Sequence, residues 1–185
     1  MNDILGLVDW VIKALEVFIV AFFLVKFRQH KWSLLFGGKR SLRSIEDHEL
    51  HSCFIAALCV VVFHNIGGVL GGQLLVMEME KLELRRVYYF IMIMNSFFCA
   101  AAIFLFHLIR KCTFSKTAKL CLYLAVVTTS LCFIQLVARG IYDFDGLSPF
   151  YKVAVNVTNI VVLCVVAIYP IKQIKKIKKK SAKEA

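Results

Sequence analysis

A chain of 185 residues that is 60% hydrophobic, with mean hydropathy +0.75 and 16 phenylalanines, holds more apolar surface than a soluble domain of this length can bury, so it reads as an integral membrane protein. Its net charge of +11 comes from basic residues clustered beside apolar segments. That placement points to membrane topology and anionic lipid, and away from a nucleic-acid partner. The seven cysteines form no C-x-x-C and read as reduced packing residues, which argues against a thiol oxidoreductase.

Five stretches approach the ~20 apolar residues that a bilayer needs: about 4–25, 52–77, 87–109, 119–138 and 150–171. The expected fold is thus an all-α bundle of five transmembrane helices, or four if the first lies in the interface. That first segment carries Asp9, Lys13 and Glu16 on one stripe. It lacks a basic flank and a small-residue cleavage site, so no signal peptide is expected.

Between the first two segments runs a polar connection, 26–51. Trp32, Leu34, Leu35 and Phe36 read as an interfacial anchor before a Gly37-Gly38 turn. Ser44-Ile45-Glu46-Asp47 matches a capping box, which predicts a helix starting there and continuing into the second segment. Asp47, His48, Glu49 and His51 then crowd one helix start. Without H-E-x-x-H or a second ligand cluster, they read as a solvated helix start, not a metal site.

The second segment contains the stretch around which the bundle is expected to assemble. Gly67 and Gly71, and Gly68 and Gly72, form two adjacent small-xxx-small pairs that let another backbone approach closely in lipid. His64 shares the Gly68/Gly72 face and Asn65 flanks it. Helix rise places His64 and Asn95 of the third segment at one mid-membrane level, with Gln73, Gln135, Asn156 and Asn159 nearer the outer face. Polarity is therefore predicted from midplane outward, with little below. This suits either an interhelical hydrogen-bond network, in which Lys13 pairs with both Asp9 and Glu16, or an outward polar vestibule.

His64 and His107 could ligate haem only at one depth, and they are expected some 15 Å apart, so no cofactor is expected. Asp143 and Asp145 in the 140–149 loop read as turn formers. No nucleophile–base pattern stands out, so the chain is read as non-enzymatic.

Seventeen basic residues flank the connections on one side of the five segments and five flank those on the other. The positive-inside rule makes the richer side cytoplasmic, with the C-terminus inside the cell inner membrane. The tail 172–185, with Lys172, Lys175, Lys176, Lys178, Lys179 and Lys180 among spaced isoleucines, suits docking on an anionic inner leaflet or on a cytoplasmic protein partner. The whole reading is a homo-oligomeric membrane anchor or sensor subunit, of the kind used in bacterial immunity and antiviral defence. An oligomeric ion channel or pore-forming effector, and a small transporter or intramembrane enzyme, are the alternatives.

Overall fold

A computed structural model of the chain describes residues 2–26, 42 and 44–184. The 27–41 anchor and turn expected from the sequence, with Arg43, lie outside the described residues. Among the described residues there are five helices: α1 (Asn2–Lys26), α2 (Ile45–Leu75), α3 (Lys81–Arg110), α4 (Lys116–Gln135, continued by a π-helical turn Leu136–Ile141) and α5 (Ser148–Glu184). No strand occurs among the described residues.

α2, α3, α4 with its π turn, and α5 as far as Lys176 are each long and apolar enough to cross a membrane. α1 carries three ionisable residues in its apolar stretch, yet it runs lengthwise beside them. Its Asp9 meets His64, and its Phe23 meets Phe54, ten residues earlier in α2, so α1 and α2 are antiparallel. The end bearing the 76–80 and 142–147 connections is the upper end below; the end bearing 111–115 is the lower.

Helix α2 packs against all four others, and its lower half supplies most of the fully buried apolar residues: Cys53, Phe54, Ile55, Ala56, Ala57 and Cys59. Phe23 of α1 fills the space between this stretch and α5, stacking on Tyr169 at 5.6 Å and meeting Phe54 edge-on at 6.0 Å. In lipid such contacts hold helices by packing, because tails solvate apolar side chains as well as neighbouring helices do. The outer faces accordingly carry exposed Trp10, Phe18, Phe98, Val126 and Phe133.

The helix ends follow local chemistry. Ser44 Oγ accepts from Asp47 N at 3.1 Å while Asp47 Oδ2 accepts from Ser44 N at 3.0 Å, the reciprocal capping expected from the sequence. Ser115 caps α4 through Ala118 N. Lys111, at φ 56°, ends α3 in the left-handed conformation. α5 continues through Pro170 without a break to Glu184, so it extends beyond the span.

The glycines of α2 do not bring a second backbone close, as the sequence reading expected. A Cβ on Gly68 would lie 2.5 Å from Lys13 Nζ, and one on Gly67 2.9 Å from Asn95 Nδ2. Gly71 faces Met92 and Tyr88, while a Cβ on Gly72 would meet no described neighbour within 4 Å. Their missing side chains therefore admit polar and long side chains of α1 and α3. The cause is local: Lys13 and Asn95 need room to reach partners on or beside α2.

Candidate functional site: two ionic clusters and a buried serine–histidine contact

The stripe of α1 and the histidine of α2 meet. Asp9 Oδ2 accepts from Lys13 Nζ at 2.6 Å, one helical turn away. His64 lies between two carboxylates, with Nδ1 2.8 Å from Glu16 Oε2 and Nε2 3.0 Å from Asp9 Oδ1. Glu16 thus pairs with His64 and not with Lys13, correcting that part of the expected network. With His64 protonated the imidazole donates from both nitrogens, and the cluster then holds two positive and two negative charges and is neutral as a unit. Neutrality is the condition for ionised groups to persist away from water. Glu16 is 1% exposed, so its partner matters most.

The remaining polar residues from the sequence reading stay apart from this cluster. Asn95 sits at the same level, donating to Phe63 O at 3.0 Å. Asn65 and Asn156 each donate to a carbonyl one turn back, Val61 O and Lys152 O. Asn159 is half-buried on α5. Gln135 is buried at the top of α4, where its Nε2 donates to Leu147 O at 2.9 Å. Asparagine and glutamine amides reach nearby carbonyls at little cost, so they serve packing singly and the polar residues do not merge into one stripe.

A second ionic cluster closes the upper end. Arg85 of α3 donates to Asp143, and through Nη2 to both oxygens of Asp145 at 3.0 Å. Arg139 donates from Nε to Asp145 at 2.6 Å and from Nη1 to the Tyr89 hydroxyl at 2.9 Å. Arg86 Nε donates to Gly140 O at 2.6 Å. The π turn makes this possible, since its extra residue per turn rotates Arg139 toward α3. Asp143, with φ 48°, is the turn former expected, and its carboxylate is also a partner for Arg85.

The Arg139 hydrogen bond, with Arg85 beside it, holds the Asp145 carboxyl below its ordinary value of 3.8. A carboxyl with a lowered folded value stabilises the fold above its unfolded value, and that contribution is lost as pH falls through the folded one. Hydrogen-exchange protection of the 142–147 segment is therefore expected to hold at neutral pH and to collapse only in acid below the ordinary aspartate range. Equal protection across that acid window would show that Asp145 does not hold the segment.

Polarity in the lower half is the clearest departure from the sequence reading, which expected little there. His107 Nδ1 donates to Ile103 O at 2.6 Å, so Nε2 accepts from Ser52 Oγ at 2.7 Å. Ser52 Oγ also accepts from Ser115 N at 2.8 Å, and the His107 ring stacks on Phe114 at 4.1 Å. Arg110, fully buried, lies with Nη2 3.1 Å from His51 Nε2. His48 Nδ1 accepts from Thr113 N at 3.2 Å. The histidines of the 47–51 stretch are thereby spent on α3 and the 111–115 connection. Ser52 and His107 form a serine–histidine contact, but both are buried, and the second imidazole nitrogen meets a carbonyl where a catalytic pair would have an orienting carboxylate.

His64 and His107 also use both ring nitrogens, so neither offers a lone pair to iron. Among the described residues no cluster of three or more histidine, cysteine, aspartate or glutamate side chains is arranged to hold a metal ion. All seven cysteines are free thiols, five of them buried; Cys164 is exposed, so it is no packing residue within the bundle. Of the tail, Lys172, Lys175, Lys176 and Lys179 are exposed, and Lys176 Nζ meets Glu46 Oε1 at 2.9 Å. The Lys178 and Lys180 side chains lie outside the described residues.

This is a multi-pass helical membrane protein. No protein-family model matches the chain, and comparison with curated proteins and with solved structures found no match either.

Proposed function

We propose that the protein is a non-enzymatic subunit of the bacterial inner membrane that presents a basic helix to a cytoplasmic partner. One observation carries the reading: α5 leaves the bundle as a continuous helix and takes its lysines about 12 Å beyond Lys176 to Glu184. An ordinary stop-transfer flank needs charge but no ordered rod. The excess of basic residues at the lower end supports a cytoplasmic C-terminus. Gly72, whose Cβ would meet no described neighbour within 4 Å, on a face that also exposes Val69, supports packing against a second copy. Bacterial immunity against phage is the setting proposed for such a subunit, on composition alone.

The test is recovery of the full chain and of a chain lacking 177–185 from the native locus in mild detergent, with mass spectrometry of bound proteins. A stoichiometric cytoplasmic protein is expected with the full chain and is lost on truncation, while membrane insertion persists. The second reading, an oligomeric ion channel, is favoured by the ionic cluster on α1 and α2. A partner-free oligomer that conducts ions in liposomes, and stops doing so on His64→Leu, would replace the first reading with the second.

A further inference from the structure

The two ring nitrogens of His64 face different surroundings. Nδ1 meets Glu16, which is 1% exposed and has no other hydrogen-bond partner among the described residues. Nε2 meets Asp9, which is 33% exposed and keeps Lys13 Nζ at 2.6 Å. We infer that His64 is a proton-binding site that opens to the upper side of the membrane alone, exchanging the proton on Nε2 while Nδ1–H stays on Glu16. Such a site needs neither a partner on α5 nor the passage of an ion across the bilayer.

The order of burial sets the direction of access. Along α1 the exposure falls from Asp9 at 33% through Lys13 at 16% to Glu16 at 1%, with His64 at 16%. Below Glu16 the bundle is shut by Ile19, Val20 and Phe23 of α1 and by Ile55, Ala56 and Cys59 of α2, all buried. Above it, a cavity of about 570 Å³ runs from the upper end between α3 and α5 as far as Tyr88, which lies within electrostatic reach of Asp9. The charges that can act on His64 come from α1, as Asp9, Lys13 and Glu16. No charged side chain occurs between Arg86 and His107 on α3, Lys119 and Arg139 on α4, or Lys152 and Lys172 on α5, and between His51 and Glu78 on α2 there is none but His64 itself. The titratable groups beside the cluster are Tyr88, near Asp9, and Cys99 and Cys121, near Glu16, types with ordinary values of about 8.5 and above. Among the described residues no three ligands are placed for a metal ion, so the ligand is the proton. When the Nε2–H bond breaks, its electron pair stays on the ring and the proton passes to water on the upper side. Asp9 then faces a lone pair, but Lys13 still neutralises it. Loss of the Nδ1 proton would instead leave Glu16 ionised, buried and without a donor, which is the costlier arrangement.

The test is nitrogen NMR of the full chain in lipid bilayers with isotopically labelled histidine. His64 is assigned through its link to Asn65, because no other histidine in the chain precedes an asparagine. The expected result is a doubly protonated ring in acid that loses one proton in a single step as pH rises, leaving a neutral ring protonated on Nδ1. In frozen proteoliposomes of one orientation, with different pH inside and outside, that step follows the pH on the side of the 142–147 connection. A neutral ring with its proton on Nε2, a ring that does not titrate before the protein unfolds, or a step that follows the pH on the tail side each overturns the site. The unaltered protein is measured throughout, so no outcome depends on a variant that fails to fold.

Discussion

Replacing His64 with leucine is expected to cost about 3–5 kcal/mol of bundle stability, the usual penalty for leaving one member of a buried ion pair alone. The loss falls on Glu16, which is buried and has His64 as its hydrogen-bond partner, whereas Asp9 keeps Lys13. Removing both, in His64→Leu/Glu16→Leu, leaves the neutral Asp9–Lys13 pair and should restore most of that stability, because an apolar pair of similar volume can replace a buried ionic one. Reversible unfolding in mixed micelles, followed for the single and the double variants, measures this. A single variant as stable as the parent, or a double variant no better than the single, would show that the cluster is not the unit described.

Phe23→Ala should cost a similar amount, about 3–5 kcal/mol, since it empties a fully buried aromatic site. The effect differs in where it appears. Phe23 binds α1 to α2 and α5 at the lower end, well away from the His64 cluster, so its removal is expected to free the C-terminal half of α1 first. Hydrogen exchange should show lost protection over residues 16–26 while α3 and α4 stay protected. Loss of protection throughout the bundle would mean instead that α1 is required for the other four helices to hold together. Phe23 meets α2 at Phe54, ten residues or about 15 Å of helix from His64, so the effects of the two substitutions should add.

Much of the architecture was legible because it depends on short-range pattern. The Ser44–Asp47 box needs only three residues of spacing, and it starts α2 where the sequence says. The Asp9, Lys13, Glu16 stripe was visible because three ionisable residues at i, i+4, i+7 stand out in an apolar run, and His64 because it interrupts another. Which of them pair is a matter of how two helices meet, and no local pattern encodes it; hence Lys13 was given two carboxylates and holds one. Arg85 and its aspartates are 58 and 60 residues apart, and each has an adequate local reading as a flanking cation or a turn former. Arg110 was read as one of the positive charges that end a span, yet it is buried whole. The π turn left no periodic signal, although the one residue by which it shifts the helix brings Arg139 to Tyr89. A signal was available in the clustering of Lys81, Arg85 and Arg86 on the side with few basic residues, where topology does not call for them.

Pro170 stands next to Tyr169, the residue that stacks on Phe23, so it sits where α5 leaves its last aromatic neighbour. A proline within a helix removes one hydrogen bond and crowds the carbonyl of the turn before it, which makes that turn the place where a helix changes direction. From Pro170 to Glu184 is about 21 Å of helix, so a tilt of about 20° there sweeps the far end through about 7 Å. Against such a swing stands the Lys176–Glu46 pair, exposed at both ends and so worth about 0–1 kcal/mol. The geometry is that of a pointer on a weak catch: its pivot is seated against Phe23 of α1, and a small tilt at the pivot carries the tip several times as far.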